Sequence, residues 1–233
     1  LSHGLEPWVI GALAVMALMV GYAYIHRQLH QRYPLLPLDL MRIPLFSMSV
    51  VTSIASFTSQ MLAMVALPFF FQHQLSFSSA QTGLLFTAWP IAIMVSAPLA
   101  GSLIGKVHAG ILGGVGLCSL TIGIAATALL GPGASTLDIA WRLAMCGFGF
   151  GLFQSPNNNI LMTSAPAARS GSASGMLAMA RLTGQTTGAT LVALFIGLMP
   201  DGAPVAALWT GAIVSFAACV ISLMRLKLPH FSD

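Results

Sequence analysis

The sequence predicts an all-α integral membrane protein with seven transmembrane helices. Only 6% of its 233 residues are charged and 57% are hydrophobic, whereas a soluble domain carries about 25% charged residues. A chain in lipid must satisfy its backbone hydrogen bonds within helices or closed barrels. The apolar runs are much longer than the roughly ten-residue strands of a barrel, so they are predicted to be helices.

Seven apolar stretches supply the spans, each near or above the ~20 residues that cross the hydrocarbon layer. They cover residues 7–25, 44–71, 82–104, 109–130, 137–160, 173–199 and 204–224. Turn-forming or charged residues fill the connections between them. Pro68, Pro90 and Pro98 lie inside the stretches, where they are predicted to kink the helices without ending them.

The basic residues predict the orientation. With seven spans, one side of the membrane receives seven of the nine Lys and Arg residues: Arg27, Arg32, Arg42, Lys106, Arg169, Arg225 and Lys227. Positive loops favour the cytoplasm, so the chain is predicted to start outside and to end inside. Its opening residues have no basic region, which predicts a portion of a longer chain and not a signal peptide.

Small residues at four-residue spacing predict close helix contacts, because bare backbone lets two helices approach. This spacing occurs at Gly101 and Gly105, Gly110 and Gly114, Gly147 and Gly151, and in the series Ala180, Gly184 and Gly188.

Four segments together resemble a known family in order and spacing. They are residues 42–47 (RIPLFS), 81–90 (QTGLLFTAWP), 147–158 (GFGFGLFQSPNN) and 172–185 (SASGMLAMARLTGQ). With them, the chain resembles the C-terminal half of the fourteen-span drug:proton antiporter branch of the major facilitator superfamily, over about residues 37–226.

The resemblance implies a domain organisation and a set of partners. Residues 1–43 would hold a linker transmembrane helix and a cytoplasmic basic linker, and residues 44–233 the six-helix C-terminal bundle of a major facilitator fold. In that fold the first, second, fourth and fifth bundle helices line a central cavity. The implied partners are the N-terminal half of the same transporter, membrane lipid, protons and a small amphipathic substrate. The implied location is the bacterial inner membrane.

The loop after the second bundle helix provides two gating candidates. Gly101 and Lys106 match the family's gating loop. Gly105 and Ala109 stand where that loop has an acidic and a basic residue, so this copy of the loop is degenerate.

Arg142 is the third gating candidate. With Gly147 it echoes, one residue out of register, an Arg followed by a glycine motif in the corresponding helix of the other half. The alternative is a structural i,i+4 ion pair with Asp138 near the start of the helix.

Arg181 is the most informative candidate for substrate binding, because a charge about two turns inside a span is costly unless it is paired or hydrated. It is predicted to face the cavity, and the alternative is that its long side chain reaches the cytoplasmic headgroups. Gln185 lies one turn further along the same face and joins the prediction.

A polar cluster at the end of the fifth span is the second candidate. It contains Gln154, Asn157, Asn158 and Asn159, and Pro156 is expected to interrupt the helix there. The cluster is predicted to bind substrate or to gate the inner mouth, with interhelical hydrogen bonding as the alternative.

Aromatic and methionine side chains suit a polyspecific cavity because they repack around different ligands. The candidates on the second and third spans are Phe57, Gln60, Met61, Met64 and Trp89. The alternative for this set is ordinary packing.

The architecture and the resemblance together predict a secondary active transporter. The resemblance alone implies that it exports amphipathic, often cationic, drugs by proton antiport and alternating access. No Asp or Glu lies deep in a span, so either the coupling carboxylates lie in the other half or the protein is not proton-coupled. The alternatives are an exporter of an endogenous metabolite and a non-transporting scaffold or receptor. The chain has no nucleotide-binding or hydrolase motif, so we expect neither an enzyme nor a cofactor, a metal site or a nucleic-acid partner.

Overall fold

The structure, a computed structural model, describes residues 39–227 and, before them, residues 15, 16, 19, 20, 22, 23 and 26. The chain divides into two units, Leu1–Leu38 and Asp39–Asp233. The described residues of the first unit are helical. The predicted first span lies mostly outside the described residues, as do the ends of the chain.

The second unit is helical throughout its described residues, apart from short turns, which confirms the predicted all-α character. Its helices are α1 Pro44–Phe69, α2 Ser79–Phe86, α3 Ala88–Leu103, α4 Ala109–Ala128, α5 Thr136–Thr163, α6 Ser170–Leu198 and α7 Ala203–Met224. A wider turn, Phe70–Gln74, continues α1, and tight turns form at Leu40–Arg42, Ala167–Arg169 and Arg225–Lys227. Six of the predicted stretches therefore coincide with helices, because α2 and α3 together make one of them.

Four helical stretches in the described part of the chain are long and apolar enough to cross a membrane: Pro44–Gln74, Ser79–Leu103, Ala109–Ala128 and Ala203–Lys227. Helices α5 and α6 are longer than most, at 28 and 29 residues, but they are not among the four. The count of seven spans therefore stays a prediction.

The prolines act differently at different depths in the helices. Pro68 and Pro98 lie inside α1 and α3 without ending them, as predicted. The stretch Ser79–Leu103 breaks at Thr87, three residues before Pro90, whose missing N–H leaves the Phe86 carbonyl without its helical partner. The prediction that Pro156 interrupts the fifth span is wrong, because α5 continues to Thr163.

The helices pack so that α5 lies between α3 and α4, while α7 joins α4 to α1 and α6 packs on α1. The predicted contact at Gly101 and Gly105 is wrong: a Cβ atom at either would meet nothing within 4 Å, and Gly105 lies in the turn after α3 with φ of 82°. The other three predicted helix contacts are confirmed, since a Cβ on these glycines would lie 3.0 Å or less from an atom of the neighbouring helix. Gly110 and Gly114 of α4 pack against α7, Gly147 and Gly151 of α5 against α3, and Gly184 and Gly188 of α6 against α1.

An ion pair joins the turn before α1 to the turn before α6. Arg169 Nη1 and Nη2 donate to Asp39 Oδ2 and Oδ1 at 2.8 and 3.1 Å. The hydrogen bond from Arg169 lowers the pKa of Asp39 below its ordinary value. A carboxylate whose pKa is lower in the folded state stabilises the fold above its ordinary pKa of about 3.9, and this contribution is lost as the pH falls through the folded pKa.

We therefore expect Asp39→Asn to destabilise the purified protein at about pH 7 by about 0.2–1 kcal/mol, the range for an exposed pair. The difference from wild type should vanish at acid pH, where wild-type Asp39 is also protonated. Thermal unfolding in detergent measures both values. Asp201→Asn is the control, because Asp201 forms no ion pair with another described residue. If Asp39→Asn lowers stability by the same amount at both pH values, the ion pair with Arg169 does not account for the loss.

Candidate substrate cavity

A cavity of about 230 Å³ opens between α1, α5 and α6. Its walls are formed by Phe57, Gln154, Asn158, Ser174, Leu177, Ala178 and Arg181. Four of these were predicted to bind substrate, and the structure brings them together from three helices. Sites for drug-sized ligands usually measure about 300–1,000 Å³, so this cavity is smaller than a complete site of that kind.

Bare backbone on α6 places Arg181 beside Phe57. Gly184, one turn after Arg181, packs so tightly on α1 that a Cβ there would lie 2.5 Å from the Ile54 carbonyl oxygen. The Arg181 guanidinium carbon consequently lies 5.7 Å from the centre of the Phe57 ring, a cation–π contact. Phe57 also contacts Phe150 of α5 in an edge-to-face arrangement, with 5.4 Å between the ring centres.

Two amide side chains of α5 form the opposite wall. Gln154 and Asn158 are four residues apart, so they share a helix face, and both are half-buried. Neither side chain hydrogen-bonds to another described residue, which leaves their donors and acceptors available to a ligand. Asn159, the next residue along, is exposed and does not line the cavity.

Asn157 lies on a different face of α5, in a buried polar network. Its Nδ2 donates to Ser53 Oγ at 2.7 Å and to the Ser49 carbonyl oxygen at 3.3 Å. Its Oδ1 accepts from Arg225 Nη2 at 2.8 Å. Asn157 is 1% exposed, so the structure does not bring this predicted residue to the cavity.

Arg225 is a buried charged residue that the sequence did not reveal. It was predicted to be a loop cation, but it is 1% exposed and joins the end of α7 to α1 and α5. Its Nη2 also donates to the Met48 carbonyl oxygen at 3.1 Å and contacts Thr52 Oγ1. The only available signal was the hydroxyl-rich face of α1, where Ser49, Thr52, Ser53 and Ser56 recur at helical spacing and are all buried.

The remaining predicted substrate residues lie outside the cavity lining. Gln60, Met61, Met64 and Gln185 are half-buried, and Met64 packs against the main apolar core. Trp89 is 1% exposed, in that same core, and its backbone lies against Gly147. The absence of a side chain at Gly147 lets α3 approach α5 closely enough to bury Trp89.

The three gating candidates lie apart from the cavity. Gly101 and Lys106 are exposed near the end of α3 and in the turn before α4. Arg142 Nη2 lies 2.9 Å from Asp138 Oδ2, so the predicted i,i+4 pair is present. Arg142 also donates to the Ala126 carbonyl oxygen and thereby ties α5 to α4.

The cavity is lined by side chains of several chemical kinds. Its lining combines one cation, two amides, a hydroxyl and apolar groups, and it contains no carboxylate, histidine or cysteine. Among the residues that the structure describes, no group of three or more potential metal ligands occurs.

Comparison with known proteins gives the family. A sequence model described as Major Facilitator Superfamily matches residues 7–189 and 49–232. The chain is 50% identical to an uncharacterized transporter, YebQ, of Escherichia coli over 229 residues, which cover 98% of this chain and 50% of that protein.

Two more distant relatives have names that refer to drug resistance and to transport. Multidrug resistance protein Stp of Mycobacterium tuberculosis is 28% identical over 155 residues, 66% of this chain and 29% of that protein. Riboflavin transporter RibZ of Clostridioides difficile is 26% identical over 169 residues, 72% of this chain and 37% of that protein. The chain spans about half the length of YebQ and less of the other two. It belongs to the major facilitator superfamily and is a multi-pass membrane protein.

Proposed function

We propose that the chain is the C-terminal half of a secondary active transporter of the drug:proton antiporter branch, with seven spans and a cytoplasmic C-terminus in the bacterial inner membrane. The transporter would export amphipathic compounds by alternating access, coupled to proton entry. The observation that carries the proposal is the cavity between α1, α5 and α6, where Phe57, Gln154, Asn158 and Arg181 meet. The name of Stp, a multidrug resistance protein, supports drugs as the cargo.

The N-terminal half would supply the rest of the cavity and the proton-coupling carboxylates. The volume of about 230 Å³ is small for a drug-sized ligand. The described acidic residues also lie away from the cavity: Asp39 precedes α1, Asp138 is in the first turn of α5, and Asp201 precedes α7. Proton coupling requires a membrane group that changes charge, so the other half is its expected source.

A second candidate cargo is an endogenous metabolite. The riboflavin transporter RibZ, which aligns with 72% of this chain, supports it by name. A non-transporting scaffold or receptor on the same fold is the third candidate, and a transport assay separates it from the first two.

Asn158→Leu is expected to lower the transport of an amphipathic dye by the intact transporter roughly two- to tenfold, because one ligand hydrogen bond is worth about 0.5–1.5 kcal/mol. Dye uptake into inverted membrane vesicles, driven by an imposed proton gradient, measures this effect. The matched control is Asn159→Leu, since Asn159 is the next residue along the chain, has the same side chain, and is exposed outside the cavity lining.

Wild-type uptake should cease when an ionophore collapses the gradient. Uptake that persists without a gradient would exclude proton coupling, and equal rates for the two variants would remove this cavity from the transport path. No uptake of any dye would favour the metabolite carrier or the scaffold.

A further inference from the structure

The positive charge of the cavity has no carboxylate partner in residues 39–227. Two of the three acidic residues there are already paired, Asp39 with Arg169 and Asp138 with Arg142. Asp201 lies beyond the far end of α6, and the 17 residues from Arg181 to Leu198 alone span about 26 Å of helix. Within these residues no carboxylate neutralises the charge of Arg181, which lines the cavity.

The surroundings leave the hydrogen-bonding groups of Arg181 available. The guanidinium carbon lies 5.7 Å from the centre of the Phe57 ring, whose π-system it contacts. The guanidinium makes no hydrogen bond to another described side chain or carbonyl. A guanidinium offers a planar fork of N–H donors that matches the oxygens of a carboxylate, sulfonate or phosphate. The amides of Gln154 and Asn158 are further uncharged partners for such a group.

The same cavity also offers an apolar surface. Phe57, Leu177 and Ala178 line it together with the polar groups. A ligand with an aromatic body and one anionic group can therefore place its ring against these side chains and its anion on Arg181. A cationic ligand in the same position meets a like charge, which disfavours it.

We propose that this cavity selects those amphipathic substrates of the transporter that carry an anionic group, and that Arg181 binds that group. This inference rests on the transport function proposed above and reverses the charge preference that the family resemblance implies. It assigns Arg181 as the residue that determines charge specificity.

Two xanthene dyes of similar size and opposite charge test the inference: fluorescein, which is anionic, and a cationic rhodamine ester. Their binding to the intact transporter in vesicles is measured by fluorescence anisotropy, and their uptake is measured in the same vesicles. We expect wild type to bind fluorescein at least about tenfold more tightly than the rhodamine ester. Arg181→Gln should bring the ratio close to one, and Arg181→Glu should invert it.

Arg42→Glu is the matched control, because Arg42 is exposed in the turn before α1 and does not line the cavity. It should leave the wild-type preference unchanged. A preference that survives in Arg181→Glu, or a wild-type preference for the rhodamine ester, would overturn the inference while leaving the transport function intact. Absence of both binding and uptake in wild type would overturn the transport function and the inference together.

Lipid headgroups also carry anionic phosphate, so the vesicle composition is varied. Phosphatidylglycerol makes the vesicle surface negative and shifts the apparent binding of both dyes, in wild type and in Arg181→Gln alike. In vesicles of phosphatidylcholine alone and in vesicles that also contain phosphatidylglycerol, we therefore expect the preference for fluorescein to be greater in wild type than in Arg181→Gln by the same factor. If phosphatidylglycerol removes this difference between wild type and the variant, Arg181 binds lipid headgroups and the inference is wrong.

Discussion

Gly149→Val should destabilise the helical bundle by about 3 kcal/mol, the upper part of the usual range for an overpacked site. Gly149 and Gly116 face each other where α5 crosses α4. A Cβ on Gly149 would collide with the Gly116 carbonyl oxygen and lie 2.6 Å from the Leu120 nitrogen. A Cβ on Gly116 would lie 2.6 Å from the Gly149 carbonyl oxygen. Backbone atoms cannot move aside by changing rotamer, so the two helices would have to separate.

Thermal unfolding of the purified protein in detergent measures this effect. Gly197→Ala is the control, because a Cβ at Gly197 of α6 would meet nothing within 4 Å. Alanine there should be neutral or stabilising by up to about 1 kcal/mol through its helix propensity. Similar destabilisation by both substitutions would show that the α4–α5 crossing is not a tight contact.

Asn157→Leu is expected to cost about 3 kcal/mol of stability. Leucine has the same number and branching of side-chain heavy atoms as asparagine but cannot accept a hydrogen bond from Arg225, and a hydrogen bond to a charged group contributes about 1.5–3 kcal/mol. The guanidinium would stay buried with only the Met48 carbonyl and the Thr52 hydroxyl as partners. Asn159→Leu, on the exposed side of α5, should change stability by less than about 0.5 kcal/mol.

A double variant separates loss of the amide from loss of packing. If the cost of Asn157→Leu comes from an unsatisfied Arg225, then adding Arg225→Met should recover part of the lost stability, because both polar partners are then replaced by apolar groups. Costs that simply add in the double variant would mean that the two side chains stabilise the protein independently.

The sequence was sufficient for the helices and for part of the cavity. Long apolar runs bounded by charge and turn formers predicted six helical stretches to within a few residues. Helical spacing and the family resemblance also placed Phe57, Gln154, Asn158 and Arg181 in one site, and the structure brings these four side chains to one cavity.

The burial of Arg225 and Asn157 could not be predicted in the same way. Spacing gives the face of a helix on which a residue lies, but not which neighbour that face meets. Arg225 is buried because α7 packs on α1 with the end of α7 beside the hydroxyl groups of α1. Because Arg225 lies next to a predicted loop, its side chain was expected to be exposed to solvent. Trp89 lies outside the cavity lining for a related reason, since its burial depends on the close approach of α3 to α5 at Gly147.

The polarity of α5 and α6 has a consequence for how the protein enters the membrane. These helices carry most of the cavity lining, yet they are not among the four stretches that are apolar enough to span a bilayer by composition. Insertion of a helix by the translocon depends on its composition, so each should enter lipid less readily than its neighbours. In the chain they stand together between α4 and α7, both strongly apolar. We expect the membrane assembly of this bundle to be cooperative, with the flanking helices retaining the pair whose polar groups later face the cavity.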